Sequence, residues 1–241
     1  MIRFRLKTGP VAMFGAVFVL ALIALMPMRL VLGWFDLDRT GFAARAATGT
    51  IWSGSLHEGQ LGSIALGDVD AGLSPWPLFV GRARLDIVGH MTGATRALQG
   101  AISVSRHSIG IDDMTGTLPV GDAFAPLPIS GVDLDAVSVR FVNGHCDRAE
   151  GRVKATLGGD IGGITLGQGL TGAARCEAGA LLLPLVSQAG TEQMAVRLWD
   201  SGRFRAEFLV KPSDAAAAQN LERGGFQRMP NGHLLAVEGK F

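Results

Sequence analysis

An imbalance of charge is what this chain most plainly lacks. Its 22 basic and 21 acidic side chains leave a formal net charge of +1. No basic stripe interleaved with aromatics occurs, so the electrostatic footprint of a nucleic-acid binder is missing. Cysteine is confined to Cys146 and Cys176, and a zinc site built from both thiols and His145 would still lack a fourth ligand. His57-Glu58 has no second histidine at the spacing that lets a helix face grip zinc, because Leu61 stands there. No G-x-S-x-G elbow raises a serine to a nucleophile, and no low-complexity linker divides the chain.

The remaining catalytic patterns lack context. Gly167, Gly169 and Gly172 satisfy G-x-G-x-x-G, but no helix is expected to open after Gly172 and no βαβ alternation surrounds it. With 34 glycines in 241 residues, about twice the average share, such a spacing arises by chance. The neighbours Asp112 and Asp113 point to opposite faces of a strand, and Asp133 and Asp135 read as the solvated side of an alternating one. The expectation is a protein without metal or cofactor that is not an enzyme.

What the chain does have is a run without charge over residues 8–28, preceded by Arg3, Arg5 and Lys7. As a helix, that run is about as long as a ~30 Å hydrocarbon core is thick. The basic flank holds its N-terminus in the cytoplasm. A cleaved secretory signal shares this layout, but the apolar run is longer than an h-region and no small-x-small pair closes it. The reading is a retained, single-pass anchor in the bacterial inner membrane. Residues 1–7 form the cytoplasmic tail, 8–33 the anchor, 34–42 a juxtamembrane linker and 43–241 a periplasmic domain. Trp34 would sit at the outer interface, among membrane lipids.

The remainder alternates with period 2 wherever a period can be seen. Ala83, Leu85 and Ile87 alternate with Arg84 and Asp86, and Val137, Val139 and Phe141 with Ser138 and Arg140. Val196 and Leu198 lead into a turn at residues 200–202, and Phe204, Ala206 and Phe208 lead out. Short turns between strands imply an antiparallel meander, since parallel pairing needs long crossovers. One soluble helix is expected near the C-terminus, capped by Ser213 or Asp214 and ended by Gly224. Residues 119–128 read as a long loop between halves. Outside the cytoplasm Cys146 and Cys176 are expected to pair, closing a loop of about 30 residues worth about 3–4 kcal/mol in the entropic model. The alternative is two unrelated buried thiols.

Two blocks carry a resemblance: Gly49-Thr50-Ile51-Trp52-Ser53-Gly54-Ser55, then Leu73-Ser74-Pro75-Trp76-Pro77-Leu78-Phe79-Val80-Gly81-Arg82-Ala83. With the single N-terminal anchor, they resemble the N component of the type II (general) secretion pathway, the GspN family. The chain departs from the pattern in having no tyrosine and a short final strand. The resemblance implies a bitopic inner-membrane accessory subunit that acts in the periplasm through contacts with other inner-membrane or periplasmic subunits. The family is also similar to AsmA-like and lipopolysaccharide-transport domains, whose folded sheet encloses an apolar groove. That similarity supplies a runner-up: a lipid-handling or membrane-bridging module with lipid in a β groove.

Read physically, Gly49 and Gly54 bracket a short strand containing Trp52, and Trp76 between two prolines is a wedge at a corner. Leu78, Phe79 and Val80 are then expected to return to the sheet. Trp52, Trp76 and Phe79 are either core packing or contacts with a neighbouring protein.

Overall fold

A computed structural model describes residues 9–30, 42–43, 45–61, 64–90, 97–120, 124–127, 129–158, 160–161, 164–165 and 169–240. The first strands are β1 (Phe42–Ala43), β2 (Ala46–Thr50), β3 (Ser53–Leu61), β4 (Ile64–Leu73), β5 (Arg82–Gly89), β6 (Gln99–Ser105) and β7 (Ser108–Pro119). After the expected loop come β8 (Ile129–Val142), β9 (His145–Leu157), β10 (Asp160–Ile161), β11 (Ile164–Thr165), β12 (Leu170–Ala173), β13 (Arg175–Glu177) and β14 (Ala180–Val186). The chain closes with β15 (Glu192–Leu198), β16 (Arg203–Val210), a helix at Ala215–Arg223, β17 (Gln227–Met229) and β18 (Gly232–Lys240).

All but β10 and β11 join one 16-stranded sheet, ordered β1-β3-β4-β5-β6-β7-β8-β9-β12-β14-β15-β16-β18-β17, with β2 pairing β3 and β13 pairing β14. Every pairing is antiparallel. Tight turns such as those between β8 and β9 and between β15 and β16 leave no room for a crossover, so the strands they join run antiparallel, and β16 and β18 also pair antiparallel although a helix and β17 lie between them. The fold is mostly β, as the alternation implied.

Register sorts the two faces. Leu73, Leu85, Ile102, Ile111, Val139 and Ala149 are successive partners across β4 to β9, forming one apolar row. The neighbouring row on the opposite face holds Arg84, Ser103, Gly110, Arg140 and Arg148. Beyond β8 the apolar face is filled. Phe208 is fully buried beside Met194, and its ring meets Phe226 edge-on at 6.0 Å. Val120 and Leu127 of the β7–β8 loop and Leu221 of the C-terminal helix close over it. The helix begins as expected, with the Ala217 N–H donating to Asp214 Oδ1 at 2.7 Å. Cys146 and Cys176 form a disulfide between β9 and β13, with Cα atoms 5.4 Å apart.

The N-terminal segment differs from the expected anchor over residues 8–33. A helix spans Gly9–Ala24, and the chain then leaves it so that Pro27 can bridge Thr50. Among the described residues no helix is long and apolar enough to cross a membrane. Arg3, Arg5, Lys7 and Trp34 lie outside the described residues, as do the tail at 1–7 and most of the linker at 34–42.

Two local expectations are corrected. Ile51 and Trp52 are not strand residues but the tip of the β2–β3 hairpin. Gly49, at φ +84°, allows the ladder to reach that tip. Leu78, Phe79 and Val80 do not return to the sheet. Residues Pro75–Leu78 form a helical turn and the sheet resumes only at Arg82, because Pro77 has no N–H to donate to a ladder.

Candidate interaction surfaces

The hairpin tip forms a cradle for the end of the N-terminal helix. A helix leaves its last carbonyls without intrahelical donors. Here the Trp52 Nε1–H donates to the Ile23 carbonyl at 3.0 Å, and the Ile51 N–H donates to the Met26 carbonyl at 3.1 Å. Met28 then inserts into a small core with Leu56, Val69 and Ala71. Gly54 makes that insertion possible: a Cβ there would collide with the Met28 Sδ and lie 2.9 Å from the Thr48 and Thr50 carbonyl oxygens. The Gly-Thr-Ile-Trp-Ser-Gly block therefore has one joint task, which is to seat the chain as it leaves the helix.

Among its described side chains, residues 12–24, the helix has no buried face. Phe14 is 74 % exposed, and Met13, Val17, Phe18, Leu20, Leu22 and Leu25 are exposed around it. A helix apolar all round requires an apolar surround.

A second apolar feature crowns the β4–β5 connection. Trp76 is 81 %, Phe79 83 % and Val80 81 % exposed, with the two rings 6.2 Å apart. Trp76 and Phe79 are thus surface residues, whereas Trp52 is half-buried at the helix end. Sequence alternation could not find this patch, because it belongs to neither strand.

The polar face is a set of cross-strand hydroxyl–carboxylate pairs. Ser55 donates to Asp70 at 2.5 Å, Ser74 to Asp86 at 2.5 Å and Thr117 to Asp133 at 2.5 Å, and Ser103 bonds Asp112. Arg84 links Asp86 and Asp112. Each carboxylate is held by a hydroxyl across the ladder, and those of Asp86 and Asp112 also meet at the Arg84 guanidinium. The Ser55 hydroxyl, aided by His90 and His57, holds the Asp70 carboxyl below the usual carboxylate range. Among the described residues no three His, Cys, Asp or Glu side chains gather as a metal site requires. Gly172 lies within β12 and pairs with Val153, so no helix N-terminus follows the G-x-G-x-x-G pattern to receive a phosphate.

The described residues thus form a wide antiparallel sheet with an exposed apolar N-terminal helix and an exposed aromatic turn. The model of the family described as type II secretion system (T2SS), protein N, matches residues 40–234, and the chain belongs to that family. It is therefore a component of the type II secretion system, a machinery of the bacterial envelope. No curated protein and no solved structure gives a significant match.

Proposed function

We propose that the chain is a bitopic inner-membrane accessory subunit of the secretion system, anchored by its N-terminal helix and acting in the periplasm through protein–protein contacts, without catalysis. The observation that carries this reading is the helix exposed on every side and tied at its C-terminal end to the sheet. At 16 residues it is about 24 Å long, a few ångströms short of a typical hydrocarbon core. Local bilayer thinning supplies the difference. Partners are other inner-membrane or periplasmic subunits of the machine.

The test is topological and functional together. A phosphatase reporter fused after Phe241 should be active in the periplasm, and deletion of the chain should lower secretion of a periplasmic cargo. Activity only inside the cell, or undiminished secretion, would sink the proposal.

One observation favours the lipid-handling alternative. On the apolar face of the first half, Val104 and Ile109 remain exposed, and the half-buried Leu85, Ile102 and Ile111 follow them across the sheet. Such a row is an acceptor for an acyl chain. Native mass spectrometry of the purified chain decides: a copurifying lipid supports it, and its absence together with a secretion defect leaves the accessory subunit.

A further inference from the structure

We propose that the turn at residues 76–80 is a second membrane contact, seated in the headgroup layer of the bilayer that holds the N-terminal helix. The inference deepens the anchored reading above and rests on it. It begins with exposure. Trp76, Phe79 and Val80 place most of their surface in solvent, and tryptophan is the side chain whose apolar body and N–H suit the boundary between hydrocarbon and water.

Position decides the occupant. The Met26 carbonyl at the helix exit accepts from Ile51, and the Ile51 carbonyl accepts from the Leu73 N–H at 2.8 Å. Leu73 ends β4, and the turn follows directly. Two hydrogen-bonded steps of about 4.8 Å each separate the chain leaving the helix from the chain entering the turn, roughly 10 Å in all. That distance is comparable to a headgroup layer plus one side chain. A sheet end tied so closely to the helix cannot stand clear of the lipid surface.

Charge agrees. Arg82 pairs in register with Ser105, which sets exposed Arg82 beside exposed Arg106 at the same end of the sheet. Two guanidinium groups flanking an aromatic turn match the anionic phosphates of the interface. A protein partner would also accept the aromatics, but would not require them beside the helix exit.

The consequence is orientation. The seated helix exit and the turn together fix which end of the sheet faces the bilayer.

The full chain, reconstituted in vesicles of phosphatidylethanolamine and phosphatidylglycerol, provides the test. Absence of tyrosine leaves tryptophan to dominate the emission. With Trp34, Trp52 and Trp199 each replaced by Phe, Trp76 should lose about half its fluorescence to lipids brominated near the glycerol, as an interfacial ring does. A Val19→Trp variant lacking the other tryptophans reports the helix through lipids brominated at mid-bilayer. If Val19→Trp is quenched and Trp76 is not, the turn does not touch lipid and the proposal is overturned while the anchor stands. If neither is quenched, both fall.

Trp52→Phe loosens the cradle, so a second measurement keeps the other tryptophans. Phe79→Cys should react with a membrane-impermeant maleimide several-fold more slowly in vesicles than Gln188→Cys at the opposite end of the sheet. Equal rates would overturn the contact.

Discussion

The two halves of the sheet use the same strand pattern to different ends. From β8 onward the apolar face is covered by the chain's own elements: Val120 and Leu127 from the loop, and Leu221 and Phe226 around the C-terminal helix. Before β8, the clustered core among the described residues is Met28, Leu56, Val69 and Ala71, with Leu98, Ala101 and Met114 buried apart from it, and Met28 comes from the segment after the N-terminal helix. The first half thus borrows its core from the helix exit and leaves apolar rows half-open. The second is closed by a loop, a helix and a disulfide. The difference teaches that burial is concentrated in one half and exposed apolar surface in the other.

The largest effect should come from the filled core. Phe208→Ala removes a fully buried ring packed on Phe226 and Met194 and should cost about 3–5 kcal/mol in chemical denaturation. A cost under about 1 kcal/mol would abolish the contrast between halves.

Next is the crosslink. Reduction of Cys146–Cys176, or the double change to Ser, should cost about 3 kcal/mol. Native-state hydrogen exchange should then speed up in β9 and β12–β14 and stay unchanged in β3 and β4. Equal acceleration on both sides would mean that the halves unfold as one unit.

The third change addresses the first half alone. Gly54→Ala forces Met28 and the β2 carbonyls apart and should cost about 1–3 kcal/mol. The Ile51 amide, bonded to Met26, should exchange faster while Phe208 stays protected. Unchanged protection of Ile51 would show that Gly54 does not seat the helix exit.

The smallest effect is electrostatic. Because the folded Asp70 pKa is depressed, its stabilisation is present above the unfolded value of about 3.9 and is lost as pH falls through the folded value. Ser55→Ala should move the Asp70 titration upward, toward the ordinary value, as followed by NMR. No movement would assign the depression to His90 and His57 instead.

Much of this was legible from residue order. Alternation such as Phe204, Ala206, Phe208 marks one face of a strand wherever it pairs, so the mostly β antiparallel fold, the hairpin of β15 and β16 and the Asp214-capped helix followed from local rules. The cysteine pair followed from number and compartment. Trp52 did not, for a tryptophan beside glycine suits a strand or a hairpin tip equally well, and while its prolines kept Trp76 out of a central strand they did not say that its ring would face outward. The same limit applies to the helix: an uncharged run sets a maximum length, while a partner across the chain sets where it stops.

Sequence by itself determined the two faces of the plainly alternating strands, the antiparallel pairing and the apolar N-terminal segment, because side-chain periodicity and turn length act over a few residues. Only the tertiary structure decided that the helix ends at Ala24 against Trp52, that Met28 completes a core through the space left by Gly54, and that Trp76 and Phe79 face outward. Those outcomes depend on which surfaces meet across long separations in the chain, and burial is a property of the meeting, not of the residue.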